Sequence, residues 1–145
     1  MNFKLRQAVI DDSTRIKFLV REAHLNPLGL DWRRFTVAVT PQEGIIGCGQ
    51  IKTHRDGSRE LASVVVDPIW RGEGIAKEVI NHLVSIHPLP VYLTCRSSLG
   101  DFYIRFGFNV VNDDLPPYFR RVSRLFSIFK KASRRQENLL VMKLD

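Results

Sequence analysis

The chain has 145 residues, 44% hydrophobic and 26% charged, an ordinary balance for one globular domain, here expected to span 1–145 and to bury a core. No run is long and apolar enough for a transmembrane helix, and the N-terminal MNFKLRQAVIDDSTR lacks a signal peptide's apolar region and cleavage site. Two cysteines make neither a disulfide framework nor a metal cluster, so a reduced cytoplasmic protein without a metal is expected.

In chain order, Phe3–Val9 alternates as a first strand, and Asp11, Asp12 and Ser13 start a helix carrying Ile16, Leu19, Val20 and Ala23 at helical spacing. That helix fades by Asn26-Pro27, because the residue before proline disfavours helix. Phe35–Thr40 and Ile45–Thr53 follow as strands, then the hairpin turn Asp56-Gly57-Ser58 and a fourth strand, Leu61–Val66, whose run of three valines suggests burial on both faces. Beyond a glycine-punctuated loop, Ile75, Ala76, Val79, Ile80, Leu83 and Val84 make one stripe of a second helix, ended by Pro88. Val91–Thr94 is a fifth strand, Leu99–Phe106 a short helix closed by Gly107, and Phe108–Val111 and Leu139–Leu144 are the last strands. This order predicts an α/β (α+β layered) fold, not an alternating doubly wound sheet.

The net charge of +7 is local. Seven basic residues and no acidic one lie between Leu115 and Gln136, leaving 15 of each sign elsewhere. A surface that coats nucleic acid is therefore not expected.

The most specific feature is the fourth strand running into Arg71-Gly72-Glu73-Gly74-Ile75-Ala76 and then a helix. A helix start exposes unpaired N–H groups and the positive end of its dipole. Glycines at 72 and 74 let the backbone wrap a diphosphate closely, and Ala76 is small enough not to block it. There is no G-x-x-x-x-G-K-[ST], which excludes a nucleoside-triphosphate P-loop, and the glycine spacing is not that of a Rossmann turn. Taken alone, the loop also fits a plain strand-to-helix turn.

The run SVVVDPIWRGEGIAKEVINHL, followed by VYLTC and LGDFYIRFGF, resembles the GNAT superfamily of N-acetyltransferases. Arg71, Gly74 and Ala76 match that family's R/Q-x-x-G-x-G/A cofactor signature, and Phe102, Tyr103, Gly107 and Phe108 match its F-Y-x-x-x-G-F ending. The resemblance implies a GNAT-like acyl-CoA N-acyltransferase fold. Its mixed, mostly antiparallel sheet has about seven strands, helices on both faces and a splayed fourth and fifth strand pair. It also implies direct transfer of acetyl from acetyl-CoA to a primary amine. Val64, Val65 and Val66 would lie against the acetyl group and pantetheine, with a bulged backbone N–H facing the thioester carbonyl. Arg71, Gly72, Glu73, Gly74, Ile75 and Ala76 would take the pyrophosphate, and Tyr103 would act as general acid. Where many relatives carry asparagine seven residues before that tyrosine, this chain has Arg96, which removes support for the usual pantetheine contact there.

An amine acceptor is protonated at neutral pH and must lose a proton before attacking. Glu60 is the first candidate base, acting through water. His24 and His54 are others, and direct release to water stays open. Cys95 reads as a small buried residue rather than a nucleophile.

Between the last two strands, Pro116-Pro117 starts a cationic amphipathic helix with Tyr118, Phe119, Val122, Leu125, Phe126 and Phe129 in its stripe. Three roles fit this 115–136 insertion: a helix packed on the domain, a wall or lid of the acceptor site, or a surface that docks a membrane, nucleic acid or acidic partner. Asn26, Asp31, Trp32 and Arg33 are candidates for the acceptor pocket, with Asn26 and Trp32 foremost. A structural turn capped by the tryptophan fits the same residues. The acceptor, small molecule or protein, is unnamed by the sequence, and a monomer or homodimer is expected. The alternative to an enzyme is a non-catalytic acyl-CoA-binding or sensor module that docks a partner through its basic helix.

Overall fold

Each strand and helix follows from a local pattern, and their order is strand, helix, three strands, helix, strand, helix, strand, helix, strand. A computed structural model describes residues 2–133 and 137–145, and the side chains of residues 132 and 133 lie outside that description. Arg134, Arg135 and Gln136 of the basic insertion therefore fall outside the described residues. Hydrogen bonding orders seven strands as β1-β2-β3-β4-β5-β7-β6, mostly antiparallel, with β4 and β5 parallel at Glu60 and Tyr92. The chain divides into two compact units, residues 1–52 with 61–88, and residues 53–60 with 89–145.

In the first unit, β1 (Lys4–Gln7), β2 (Phe35–Thr40), β3 (Gly44–Thr53) and most of β4 (Arg59–Val66) carry two helices. β1 stops two residues short of the expected end because Val9 is drawn into the next turn, where its N–H donates to Asp12 at 2.8 Å. Asp12 also takes both terminal nitrogens of Arg6, at 2.7 and 3.1 Å, and this hydrogen-bonded pairing holds its carboxyl below the usual carboxylate range. A 3₁₀ turn over Ile10–Asp12 leads into α1 (Ser13–Glu22), which buries Ile16, Leu19 and Val20. Those residues share a cluster with Val37, Cys48 and Val65, which places α1 on one face of the sheet.

α2 (Ile75–Ser85) packs on the opposite face and buries Ile75, Val79, Ile80 and Leu83. It comes very close: a Cβ built at Gly47 would meet Ile75 Cγ2 at 2.9 Å, and one at Gly49 would meet Val79 Cγ1 at 2.9 Å. These two glycines of β3 admit the helix, and a side chain at either would push it off.

In the second unit, β5 (Val91–Arg96) pairs antiparallel with β7 (Leu139–Leu144), and β6 (Asn109–Val110) lies beyond β7. α3 (Gly100–Ile104) is shorter than the sequence pattern predicts, and the chain closes at Gly107, whose φ of 95° suits only glycine. α4 (Pro117–Ser133) begins at the second proline of the pair, as expected from proline's tolerance in a first turn. Its Phe119 is fully buried and packs with Tyr92 and Val141. Burying one such ring contributes about 2–3 kcal/mol and fixes the start of the helix.

Candidate functional site

The first group of candidate residues lies where β4 leaves the sheet and α2 begins. Ser63 breaks the regular pleat of β4 with a φ of 58°, a left-handed conformation costly for a residue with a Cβ. Its side chain is held: fully buried Gln50 donates to Ser63 Oγ at 2.8 Å, and Arg34 Nε donates to the Gln50 side-chain oxygen Oε1 at 3.2 Å. An irregularity of this kind re-aims the amides that follow it. Val65 turns its side chain into the α1 cluster, whereas Val64 and Val66 pack on the face that meets α2. The Val65 backbone also hydrogen-bonds the Cys48 thiol, whose burial pushes its pKa up to about 12 and makes it inert as a nucleophile.

After β4, Asp67 accepts from the Ile69 N–H at 3.1 Å and caps a 3₁₀ turn over Pro68–Trp70. The other oxygen of Asp67 takes Arg15 at 2.7 Å, and Arg15 also donates to the Ile45 carbonyl at 3.2 Å. The loop is thereby tied to α1 and β3. It then opens: Gly72 and Gly74 have φ of 84° and 79°, with nothing within 4 Å of where a Cβ would sit. Among the described residues the amides of Gly72, Glu73, Gly74, Ile75 and Ala76 meet no acceptor, and Arg71 through Gly74 are exposed. Arg71 has no ion-pair partner among the described residues. A row of outward N–H groups at a helix start, beside a guanidinium with no ion-pair partner among the described residues, is the donor set that an anion would require. A cleft of about 200 Å³ adjoins it, lined by Phe18, Leu19, Val65, Val66, Pro68 and Arg71.

The second group lies in the other unit, around the tip of the β3–β4 hairpin. His54 Nε2 and Glu60 Oε1 are 2.8 Å apart, with side chains only 14% and 9% exposed. Two residues weighed as rival bases therefore form one pair. The hairpin explains it: the His54 N–H donates to the Ser58 carbonyl across the turn, which sets Glu60 two residues further along its strand. A carboxylate at Glu60 can only accept, so Nε2 would be the donor of this contact. Tyr118 of α4 stacks on the imidazole with centroids 3.5 Å apart, and Phe119 meets it edge-on at 5.8 Å. Asp56, in the hairpin turn, accepts from the Tyr118 N–H at 2.9 Å and so ties the start of α4 to the tip. Its bonds from Ser58 and Tyr118 hold the Asp56 carboxyl down at about 2.

Tyr103 of α3 is half-buried, beside Phe102 and Phe108 at 5.0 and 6.2 Å. Burial, with the Cys95 thiol nearby, pushes its phenol up to about 12. Among the described residues no fully buried side-chain nitrogen or oxygen lacks a partner, and the phenol bonds to no protein atom there, so its oxygen is not completely enclosed. Arg96 is exposed at the end of β5, and Cys95 is buried with its thiol directed to Met142.

The remaining candidates sit elsewhere. Asn26 is exposed and accepts from the Leu28 N–H at 3.0 Å, closing its own turn. Trp32 packs against the α1 core, with Arg33 over its ring at 4.9 Å. His24 is exposed in a left-handed turn. No group of three or more metal-ligating side chains occurs among the described residues. Sequence reasoning missed Tyr118 as a partner of His54, and it missed the glycines of β3; the G-C-G run of that strand was the available signal.

Residues 31–110 match the family model described as "Acetyltransferase (GNAT) domain". No curated protein matches the sequence significantly. Among solved structures, N-acetylglutamate synthase from Neisseria gonorrhoeae, complexed with coenzyme A and N-acetyl-glutamate, superposes with a TM-score of 0.73 at 20% identity. That alignment covers 100% of this chain but 36% of the synthase chain, so the chain spans about a third of that enzyme's length. Rv2747 from Mycobacterium tuberculosis, in complex with CoA, gives 0.71 at 22% identity, covering 97% of this chain and 98% of that one. A GNAT-family acetyltransferase from Bacillus cereus gives 0.69 at 14% identity, with 100% and 98% covered. At these identities the structural likeness establishes the fold.

Proposed function

The chain belongs to the GNAT acetyltransferase family, and from that premise we propose that it transfers acetyl from acetyl-CoA to a primary amine by direct attack. The carrying observation is the row of unengaged amides from Gly72 to Ala76 beside Arg71, open to an anion at the start of α2. A pyrophosphate supplies two charged groups to that row, each taking charge-assisted bonds from fixed donors.

The proposed chemistry has three parts. The amine nitrogen attacks the thioester carbonyl carbon, and an amide of β4 beside the Ser63 irregularity stabilises the oxyanion, a contribution of about 3–4 kcal/mol in comparable sites. Before that attack the acceptor ammonium loses a proton to Nδ1 of His54, through water, while Glu60 stabilises the imidazolium that forms. The second proton of the newly bonded nitrogen passes to water as the intermediate collapses. The carbon–sulfur bond then breaks and the electron pair leaves on CoA sulfur. Tyr103 is proposed to meet that sulfur. Its phenol, near 12, is a far weaker acid than a thiol titrating near ~8.5. It therefore stabilises the thiolate as a hydrogen-bond donor and keeps its own proton, which narrows the general-acid role expected from the resemblance.

Incubation with acetyl-CoA and a panel of amino acids, polyamines and lysine peptides, followed by release of the CoA thiol, tests the reading. Amine-dependent thiol release is expected. Tight acetyl-CoA binding with no release on any amine would leave a non-catalytic acyl-CoA-binding module instead.

A further inference from the structure

α4 uses only part of its apolar surface inside the protein. The sequence stripe runs from Tyr118 to Phe129, yet only Phe119 is fully buried, with Val122 and Phe126 partly covered. Leu125, Ile128 and Phe129 are 54%, 63% and 64% exposed, an unusual density of large apolar side chains on one stretch of helix. At 3.6 residues per turn these three fill an arc of about 100°. On the side of that arc away from the packed seam stand Arg124 and Lys131, and Arg121 lies within the arc one turn before Leu125, all three exposed. None of the three has an ion-pair partner among the described residues, whereas Lys130 is tied to Asn138 and Arg120 to the Leu115 carbonyl. The helix thus presents an apolar strip edged by uncompensated cations.

We propose that this face of α4 docks on an anionic lipid surface, with Leu125, Ile128 and Phe129 entering the headgroup–acyl boundary and Arg121, Arg124 and Lys131 meeting the phosphates. The arrangement matches what an interfacial helix needs: an apolar face, flanking cations and modest overall hydrophobicity. No helix among the described residues is long and apolar enough to cross a membrane, so the contact is one of lying on the surface. Nucleic acid would use the cations but gain little from a leucine and an isoleucine, and Phe129 sits within the apolar strip, not between the cations as a stacking platform. A second copy packed through the same strip would set Arg121, Arg124 and Lys131 against their equivalents, a repulsion with no acidic residue on the helix to relieve it.

Co-sedimentation of the full chain with vesicles tests this, independently of any acetyl transfer. Binding to phosphatidylcholine vesicles containing phosphatidylglycerol is expected, weakening as salt rises, with little binding to phosphatidylcholine alone. The triple variant Leu125→Ser, Ile128→Ser, Phe129→Ser should bind about tenfold more weakly or worse, and Arg121→Gln, Arg124→Gln, Lys131→Gln should lose the preference for anionic lipid. Both variants change exposed positions, and circular dichroism checks that each is folded. Absence of binding to the anionic vesicles overturns the proposal. So does full binding by the serine variant, which would reduce the contact to general charge attraction. A dimer in the wild type that the serine variant abolishes, without vesicles present, would assign the strip to a second copy.

Discussion

The proposed pyrophosphate loop and the hairpin-tip cluster are built in opposite ways. From Gly72 to Ala76 the candidate groups are backbone amides without partners among the described residues, on a loop exposed as far as Gly74, and the side chains matter chiefly by being absent. At His54 and Glu60 the functional groups are side chains, nearly buried and partnered, and closed over by the Tyr118 ring. An open row of dipoles is suited to binding a charged group, whereas a closed side-chain pair is suited to moving a proton. The two should therefore fail differently when altered, one in binding and the other in rate.

The largest effect should come from filling the open row. Gly74→Glu puts a side chain where φ is 79° and sets a carboxylate against the helix start, so acetyl-CoA affinity by calorimetry should fall by about a hundredfold or more. The circular dichroism spectrum should stay near that of the wild type, since nothing lies within 4 Å of the missing Cβ. Glu60→Gln strips the charge that steadies an imidazolium and should lower kcat by about a hundredfold while acetyl-CoA affinity holds. If affinity falls with rate, the separation between the two regions is wrong. Tyr103→Phe removes one hydrogen bond to a developing thiolate and should cost about tenfold in kcat. Because burial holds that phenol near 12, the alkaline limb of the pH profile should have the same midpoint in wild type and variant.

The smallest effect is one of stability. Asp56 is held at about 2 in the fold against an ordinary 3.8, so its contribution is whole above about pH 4 and is lost as pH falls toward 2. Thermal melts of wild type and Asp56→Asn should differ modestly at neutral pH and converge in acid. A gap that persists at pH 2 would mean that the tie between Asp56 and Tyr118 is not the source.

The same contrast governs what could be read in advance. Backbone turns leave marks in the sequence, because glycines and the strand-to-helix change are written in residue types; the open turn at Arg71 to Ala76 was legible for that reason. Strands with regular apolar spacing, such as Phe35–Thr40 and Leu139–Leu144, also carry their own limits. Side-chain pairs depend on register. His54 and Glu60 were each visible as candidates, yet their pairing needed the turn counted residue by residue, and Tyr118 arrives from 58 residues beyond Glu60. α4 shows a third limit. Periodicity marks Leu125 and Phe129 as one stripe with Phe119, but it holds no information on where the covering surface ends. Trp32 and Asn26 are unusual residues in a loop, and spacing alone does not reveal that the ring packs against the α1 core and the amide closes its own turn.

The most direct measurement is an amide-resolved NMR titration of the isotopically labelled chain with CoA. The amides of Gly72, Glu73, Gly74, Ile75 and Ala76 should show the largest shifts, saturating together with the calorimetric isotherm. Saturable CoA binding that leaves these five amides unmoved, with the shifts gathered on α4 instead, would contradict that expectation.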